Sequence, residues 1–192
     1  ATTGASLRPF LHGESPAAWR DEIHTQCNGV ELYYTQRSVM TTDFKYVFNG
    51  FGCEGDNVSP ALVWMSPPKA AKSFAVMVHD PDAPTGGSGW WHWIIINLPA
   101  KTIGLQQGAG DPAANKLPKE AVQIRTDFGT PGWGGPCPPV GDRPHRYVFT
   151  VYALGVEKLD VPADATAALV GYMVNANAID KASFTARYGR KK

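Results

Sequence analysis

The sequence predicts a mainly β protein, an antiparallel β-sandwich with a few peripheral helices, one of them near residues 164–179. Two observations carry that expectation. Short apolar stretches alternate with turn-rich clusters along most of the chain, which is how strands joined by tight connections are written. The 192 residues also include 20 glycines and 16 prolines, with 11% aromatics, a composition that suits strands and turns better than a helical bundle.

Each element follows from local chemistry. Residues 1–37 mix Pro9, Gly13, Pro16 and Gly29 with scattered polar side chains and keep no period. They read as an N-terminal extension of unassigned role, with one short helix near residues 16–25. Ser15 suits its N-cap and Pro16 its first turn. Residues 38–192 read as the main domain. Strands are expected at 44–48, 61–65, 74–79, 92–98, 121–124 and 147–154, separated by turn clusters at 49–57, 66–69, 80–89 and 129–144. The helix at 164–179 spaces Ala168, Leu169, Tyr172, Met173, Ala176 and Ile179 by three and four, with Asp164 as N-cap. Its Leu169, Tyr172 and Met173 stripe is expected to pack on the core. Residues 183–188 form a last strand.

Bulk properties narrow the function. A 43% hydrophobic content supports one domain with a proper core. Eighteen basic against 17 acidic residues leave a net charge of +1, so nothing electrostatic calls for nucleic acid or an anionic membrane surface. Arg190, Lys191 and Lys192 read as a solvated tail. No apolar run approaches the roughly 20 residues of a membrane-spanning helix.

Three segments concentrate polar groups. Asp80-Pro81-Asp82-Ala83-Pro84 follows a strand; two prolines fix φ at two places and make the turn rigid. Such a turn either uses its carboxylates as caps or holds one out for a site. Trp90-Trp91-His92-Trp93 opens the next strand. Regular alternation puts His92 with Ile94 and Ile96, opposite Trp91, Trp93 and Ile95. Alone, His92 reads as a satisfied core histidine. Cys137-Pro138-Pro139 opens a stiff loop that ends at His145-Arg146-Tyr147, where alternation sends His145 and Tyr147 to the same face.

Asp-Pro-Asp-Ala-Pro at 80–84, Trp-His-Trp-Ile at 91–94 and Pro-Pro-x-Gly-x-x-x-His-Arg-Tyr at 138–147 resemble the signatures of the phosphatidylethanolamine-binding protein (PEBP) family. Phe51-Gly52-Cys53-Glu54-Gly55, the segment from Asn57 to Leu62, Asp127-Phe128-Gly129 and the segment from Ala168 to Met173 resemble its bacterial YbhB/YbcL subgroup of Raf-kinase-inhibitor-like proteins. The likeness covers roughly residues 43–188. It implies a β-sandwich with peripheral helices and a pocket for anions of the phosphate head-group type. By motif, ligand-binding positions fall on Asp80, Asp82, Trp90, His92, Pro138, His145 and Tyr147. Two imidazoles and a phenol can donate to an anion, with Asp80 favouring a protonated histidine, so affinity is expected to rise as pH falls.

The resemblance also implies a disulfide between Cys53 and Cys137, hence a periplasmic or secreted location, with a cytoplasmic one the alternative. Cys27 is left single, free or linking two copies in a homodimer. The function expected is binding of a small anion or phospholipid head group, with no cofactor and no metal. An alternative is a protein-interaction module resembling a protease or kinase inhibitor. A hydrolase ranks last: no Gly-x-Ser-x-Gly elbow or metal-ligand spacing is present, and Ser59 and Ser88 qualify by type alone.

Overall fold

The computed structural model describes residues 23–28, 35–40, 44–49, 56–65 and 67–190. Their strands form two antiparallel sheets. The first has the order β1 (Ile23–Asn28), β2 (Thr35–Met40), β3 (Phe44–Asn49), β4 (Ala61–Trp64) and β7 (Gly104–Leu105). The second has the order β10 (Ala178–Tyr188), β9 (His145–Leu154), β5 (Ser73–Asp80), β6 (Trp90–Pro99) and β8 (Val122–Gln123).

β5 explains the second sheet. It lies at the centre, paired on both edges and covered on both faces, so its side chains are almost all buried. Phe74, Val76 and Val78 join a core that holds Leu62, Trp64 and Leu105 from the first sheet. Ala75 and Met77 join a second core on the opposite face. A strand buried on both sides reads as a continuous apolar run instead of an alternating one. In β9 the odd positions Tyr147, Phe149, Val151 and Ala153 serve the first core. Phe149 stacks on Phe184 of β10 with centroids 4.8 Å apart.

The second core is roofed by α1 (Ala167–Asn177), and here the expectation needs correction. The buried stripe is Ala167, Val170 and Val174, whereas Leu169 is 40% and Tyr172 72% exposed. Two stripes of the helix share the same spacing. The one with small and β-branched side chains lies against Met77, Ile94 and Leu154 in the second core. The N-cap is Thr166, not Asp164: its hydroxyl accepts the Leu169 N–H at 3.2 Å.

Three other expectations change. Ile23, His24 and Thr25 belong to β1, so no helix runs through them; residues 16–22 lie outside the described residues. Isoleucine and threonine suit a strand, and β1 pairs with β2 along its whole length. The boundary placed at residue 37 falls inside β2, which pairs in turn with β3. The last strand starts at Ala178, five residues before the expected 183, because β9 offers a partner that far back. Among the described residues no helix is long and apolar enough to cross a membrane.

The two helix stripes give a direct check. Val174→Ala is expected to lower unfolding free energy by about 2 kcal/mol, through lost burial and the cavity left behind. Leu169→Ala should change it by less than about 0.5 kcal/mol. Urea unfolding of the two variants measures both.

Candidate functional site

The site gathers where β5 ends, β6 begins and β9 begins. Asp80 closes β5, and its buried carboxylate faces the first histidine of β9: Asp80 Oδ2 lies 2.8 Å from His145 Nδ1. The other oxygen, Oδ1, accepts the Asp82 N–H at 2.8 Å, a local turn of the kind aspartate makes. Both readings of this segment therefore hold at once, since one carboxylate shapes the turn and reaches the next strand.

Asp82 works differently. Its Oδ2 accepts from the backbone N–H of Arg146 at 2.8 Å and from Nε at 2.9 Å, while Oδ1 accepts from Nη2 at 2.8 Å. This two-pronged guanidinium contact holds the Asp82 carboxyl well below the usual carboxylate range. Asp82 does not line the pocket; it ties the turn after β5 to the start of β9.

His92 reaches the site through a β-bulge. Val78 pairs with Trp93, but His79 pairs with Trp91, so His92 is an extra residue in β6. Regular alternation would send it to the second core with Ile94. The bulge instead turns it to the side of Trp93 and Tyr147, correcting the facing read from alternation. Its ring meets Tyr147 edge-on at 5.2 Å and Phe128 at 5.4 Å. Its main-chain oxygen accepts the Gly134 N–H at 2.9 Å, and its ring Nδ1 lies 2.6 Å from the Gly134 carbonyl oxygen. Gly134 must be glycine here, because a Cβ would strike the Phe128 ring.

These groups surround a cavity of about 430 Å³. Asp80, His92, His145 and Tyr147 supply its polar wall, while Trp90, Phe128, Pro138, Pro139, Ala83 and Pro84 supply apolar ones, with Thr85 and Cys137 completing it. Six of the seven expected ligand-binding residues thus share one cavity, and Asp82 braces it from outside. Phe128 and Gly134 were missed as site residues. Asp127-Phe128-Gly129 did stand out as a stretch of resemblance, and Asp127 fastens that loop by accepting the Trp91 N–H at 2.7 Å. Asp142 was also missed; its Oδ2 lies 3.4 Å from His145 Nε2.

Two features set the electrostatics. The Tyr147 hydroxyl is buried and has no hydrogen-bond partner. Burial first, then the nearby Asp80, pushes its ionisation far up, so it stays a donor. Burial also pushes the His92 imidazole below its ordinary 6.5, against the opposing pull of the Gly134 carbonyl and Asp80. Neither serine considered for hydrolysis lines this cavity. Ser59 Oγ accepts the Gly110 N–H at 2.7 Å, and Ser88 bonds within its own turn. Among the described residues no cluster of three or more His, Cys, Asp or Glu side chains could hold a metal ion.

Fold and site define a binding protein built as a β-sandwich, with its pocket at the strand ends. The chain belongs to the phosphatidylethanolamine-binding protein family, whose pattern matches residues 38–189. It is 56% identical over 143 residues to the UPF0098 protein YbcL of Escherichia coli, covering 74% of this chain and 78% of YbcL. It is 49% identical over 144 residues to YbhB of the same organism, covering 75% and 89%. The crystal structure of E. coli YbcL, described as a new member of the mammalian PEBP family, superposes with a TM-score of 0.69 over 74% of this chain and 86% of that one. A Mycobacterium tuberculosis protein named as a lipoprotein, LppC, is 40% identical over 116 residues, 60% of this chain and 52% of LppC.

The pH dependence of stability follows from His92. Its folded-state value lies below 6.5, so the unfolded chain binds the proton more readily. Its contribution is complete above about pH 6.5 and is lost as pH falls toward the folded-state value. His92→Phe should flatten that part of the profile, measured by denaturant unfolding at several pH values. Separately, Arg146→Ala should return the Asp82 titration toward its ordinary 3.8, read by carboxyl NMR.

Proposed function

We propose that the protein binds a small anion of the phosphate head-group type in the cavity between Asp80, His92, His145 and Tyr147. The observation that carries this reading is the Tyr147 hydroxyl. A buried donor without a partner costs about 1–3 kcal/mol, which a ligand oxygen in the cavity recovers. In this reading His145 is a second ligand group, its ring held in place by Asp80, and Trp90 and Pro138 wall the pocket. Asp82 is a positioning residue that acts through Arg146.

The chemistry favours binding over turnover, since no activated nucleophile faces the cavity and His92 is committed to Gly134 through Nδ1. Cys137, on the cavity rim, is disulfide-bonded. Cys53 is the partner that the family likeness suggests, and it lies outside the described residues. A disulfide and a relative named as a lipoprotein both support a periplasmic or secreted location.

Tyr147→Phe separates function from stability. Removing an unpartnered hydroxyl should leave unfolding free energy unchanged or raise it by up to about 1 kcal/mol. The same change should weaken inorganic phosphate binding by about fivefold or more, measured by calorimetry. Equal phosphate affinity in the two proteins would remove the basis of the reading.

A further inference from the structure

Among the described residues, two buried side-chain polar atoms have no hydrogen-bond partner: the Tyr147 hydroxyl and Trp64 Nε1. The second belongs to the other end of the sandwich. Trp64 closes β4; it is 4% exposed, and its ring packs on Phe74 with centroids 5.6 Å apart. An indole nitrogen can only donate, so a buried Nε1 without an acceptor is costly. A phenylalanine there would carry no such cost.

Trp64 and Phe74 line a cavity of about 200 Å³, to which Met65, Pro68 and Val151 add apolar surface. It shares no residue with the anion cavity, and Val151 lies about 20 Å along β9 from His145. Drug-sized ligands fill roughly 300 Å³ or more, so this cavity suits an occupant the size of one amino-acid residue.

The charged residues bordering it are Asp180 and Lys181, adjacent in β10. They face opposite ways. Asp180 pairs with Ala153 of the first core, and Lys181 pairs with Tyr152 of the second. Lys181 Nζ lies 6.0 Å from the centre of the Tyr152 ring, so its charge stands across the sheet from the cavity. Asp180 is the charge on the cavity side. Its Oδ1 accepts the Lys181 N–H at 2.8 Å, which leaves Oδ2 for a ligand.

The occupant must therefore bring an oxygen for Trp64, a cation for Asp180 and hydrocarbon for the walls. An anionic oxygen would suit the indole but meet the carboxylate. We propose that this cavity binds an α-amine beside an uncharged carbonyl on an apolar residue, as an amino-acid amide or as the first residue of a peptide. The ammonium donates to Asp180 Oδ2, the carbonyl oxygen accepts from Trp64 Nε1, and the side chain lies against Met65, Pro68 and Val151. Asp180 is exposed, so water weakens its pull and it mainly selects the sign of the ligand. The buried indole supplies the larger gain.

The test is an NMR titration of the intact chain that reads the Trp64 indole N–H. Leucinamide should shift that signal and approach saturation by about 10 mM. N-acetylleucinamide lacks the cation, and leucine carries a carboxylate in place of the amide; each should bind at least about threefold more weakly. The oxygen is missing from 3-methylbutylamine, which should bind at least about fivefold more weakly. The tripeptide Leu-Ala-Ala separates the two sources. Tighter binding than leucinamide assigns the site to a peptide's first residue, and equal or weaker binding assigns it to the free amide; both support the proposal. Leucinamide that leaves the Trp64 signal unmoved, or binds no better than any one of the three analogues, overturns it.

Two variants and a competitor address the contacts themselves, read through the backbone amides of Phe74 and Val151. Asp180→Asn, a change at an exposed position, should weaken leucinamide binding about threefold, and unchanged affinity overturns the proposal. Trp64→Phe should erase the preference for leucinamide over 3-methylbutylamine, and a retained preference overturns it as well. Saturating inorganic phosphate should leave leucinamide binding unchanged. Competition between the two would place the amine in the anion cavity and sink the second site, with the anion-binding reading untouched.

Discussion

The β-bulge at His92 is the constraint on which the site depends. One extra residue in β6 reverses the facing of the strand's beginning relative to its middle. Ile94 and Ile96 stay in the core beneath α1, while His92 turns toward Tyr147. The main-chain oxygen of the bulged residue then accepts from Gly134, and the ring answers by donating to the Gly134 carbonyl. A loop more than 40 residues away in sequence is thereby fixed over the strand, and it brings Trp133 into the core. Without the bulge the histidine would lie among packed hydrocarbon, and the cavity would lose its second imidazole.

The cavity's opposite wall depends on β5 and β9 being aligned at their ends. Two carboxylates from one rigid turn reach two consecutive residues of β9: Asp80 holds His145 and Asp82 holds Arg146. The contacts differ in character. Asp80 and His145 are sealed from solvent, where leaving either without its partner is costly. Asp82 and Arg146 stand nearer the surface, where water weakens the charge attraction and the value of the contact is mainly geometric. The turn can serve both because its prolines leave it few conformations.

Much of the architecture was legible because burial writes itself into residue type. β5, β6 and β9 are apolar enough to be placed within a residue or two at most ends, and the motifs at 80–84, 91–94 and 138–147 mark the cavity's walls. Other elements left weaker traces. β1 and β2 carry polar residues such as Thr25, Gln26 and Gln36, so they show little hydrophobic pattern. β7 and β8 are two residues each and exist only where a neighbouring strand offers bonds. The helix was visible by its period, but its buried face was not, because Leu169 and Tyr172 look as suited to a core as Val170 and Val174.

By itself the sequence determined the class of fold, the strands with strong apolar content, the rigid Asp-Pro turn, and which residue types could meet an anion. Those properties are local: they depend on a residue's own preferences and those of its near neighbours. The tertiary structure decided which way His92 faces, that Asp82 braces the site from outside, that Gly134 and Phe128 belong to it, and that the Tyr147 hydroxyl is left without a partner. Each of these depends on pairing register or on contact between segments far apart in the chain. Strand alternation read along one segment cannot register an extra residue that only the opposing strand reveals.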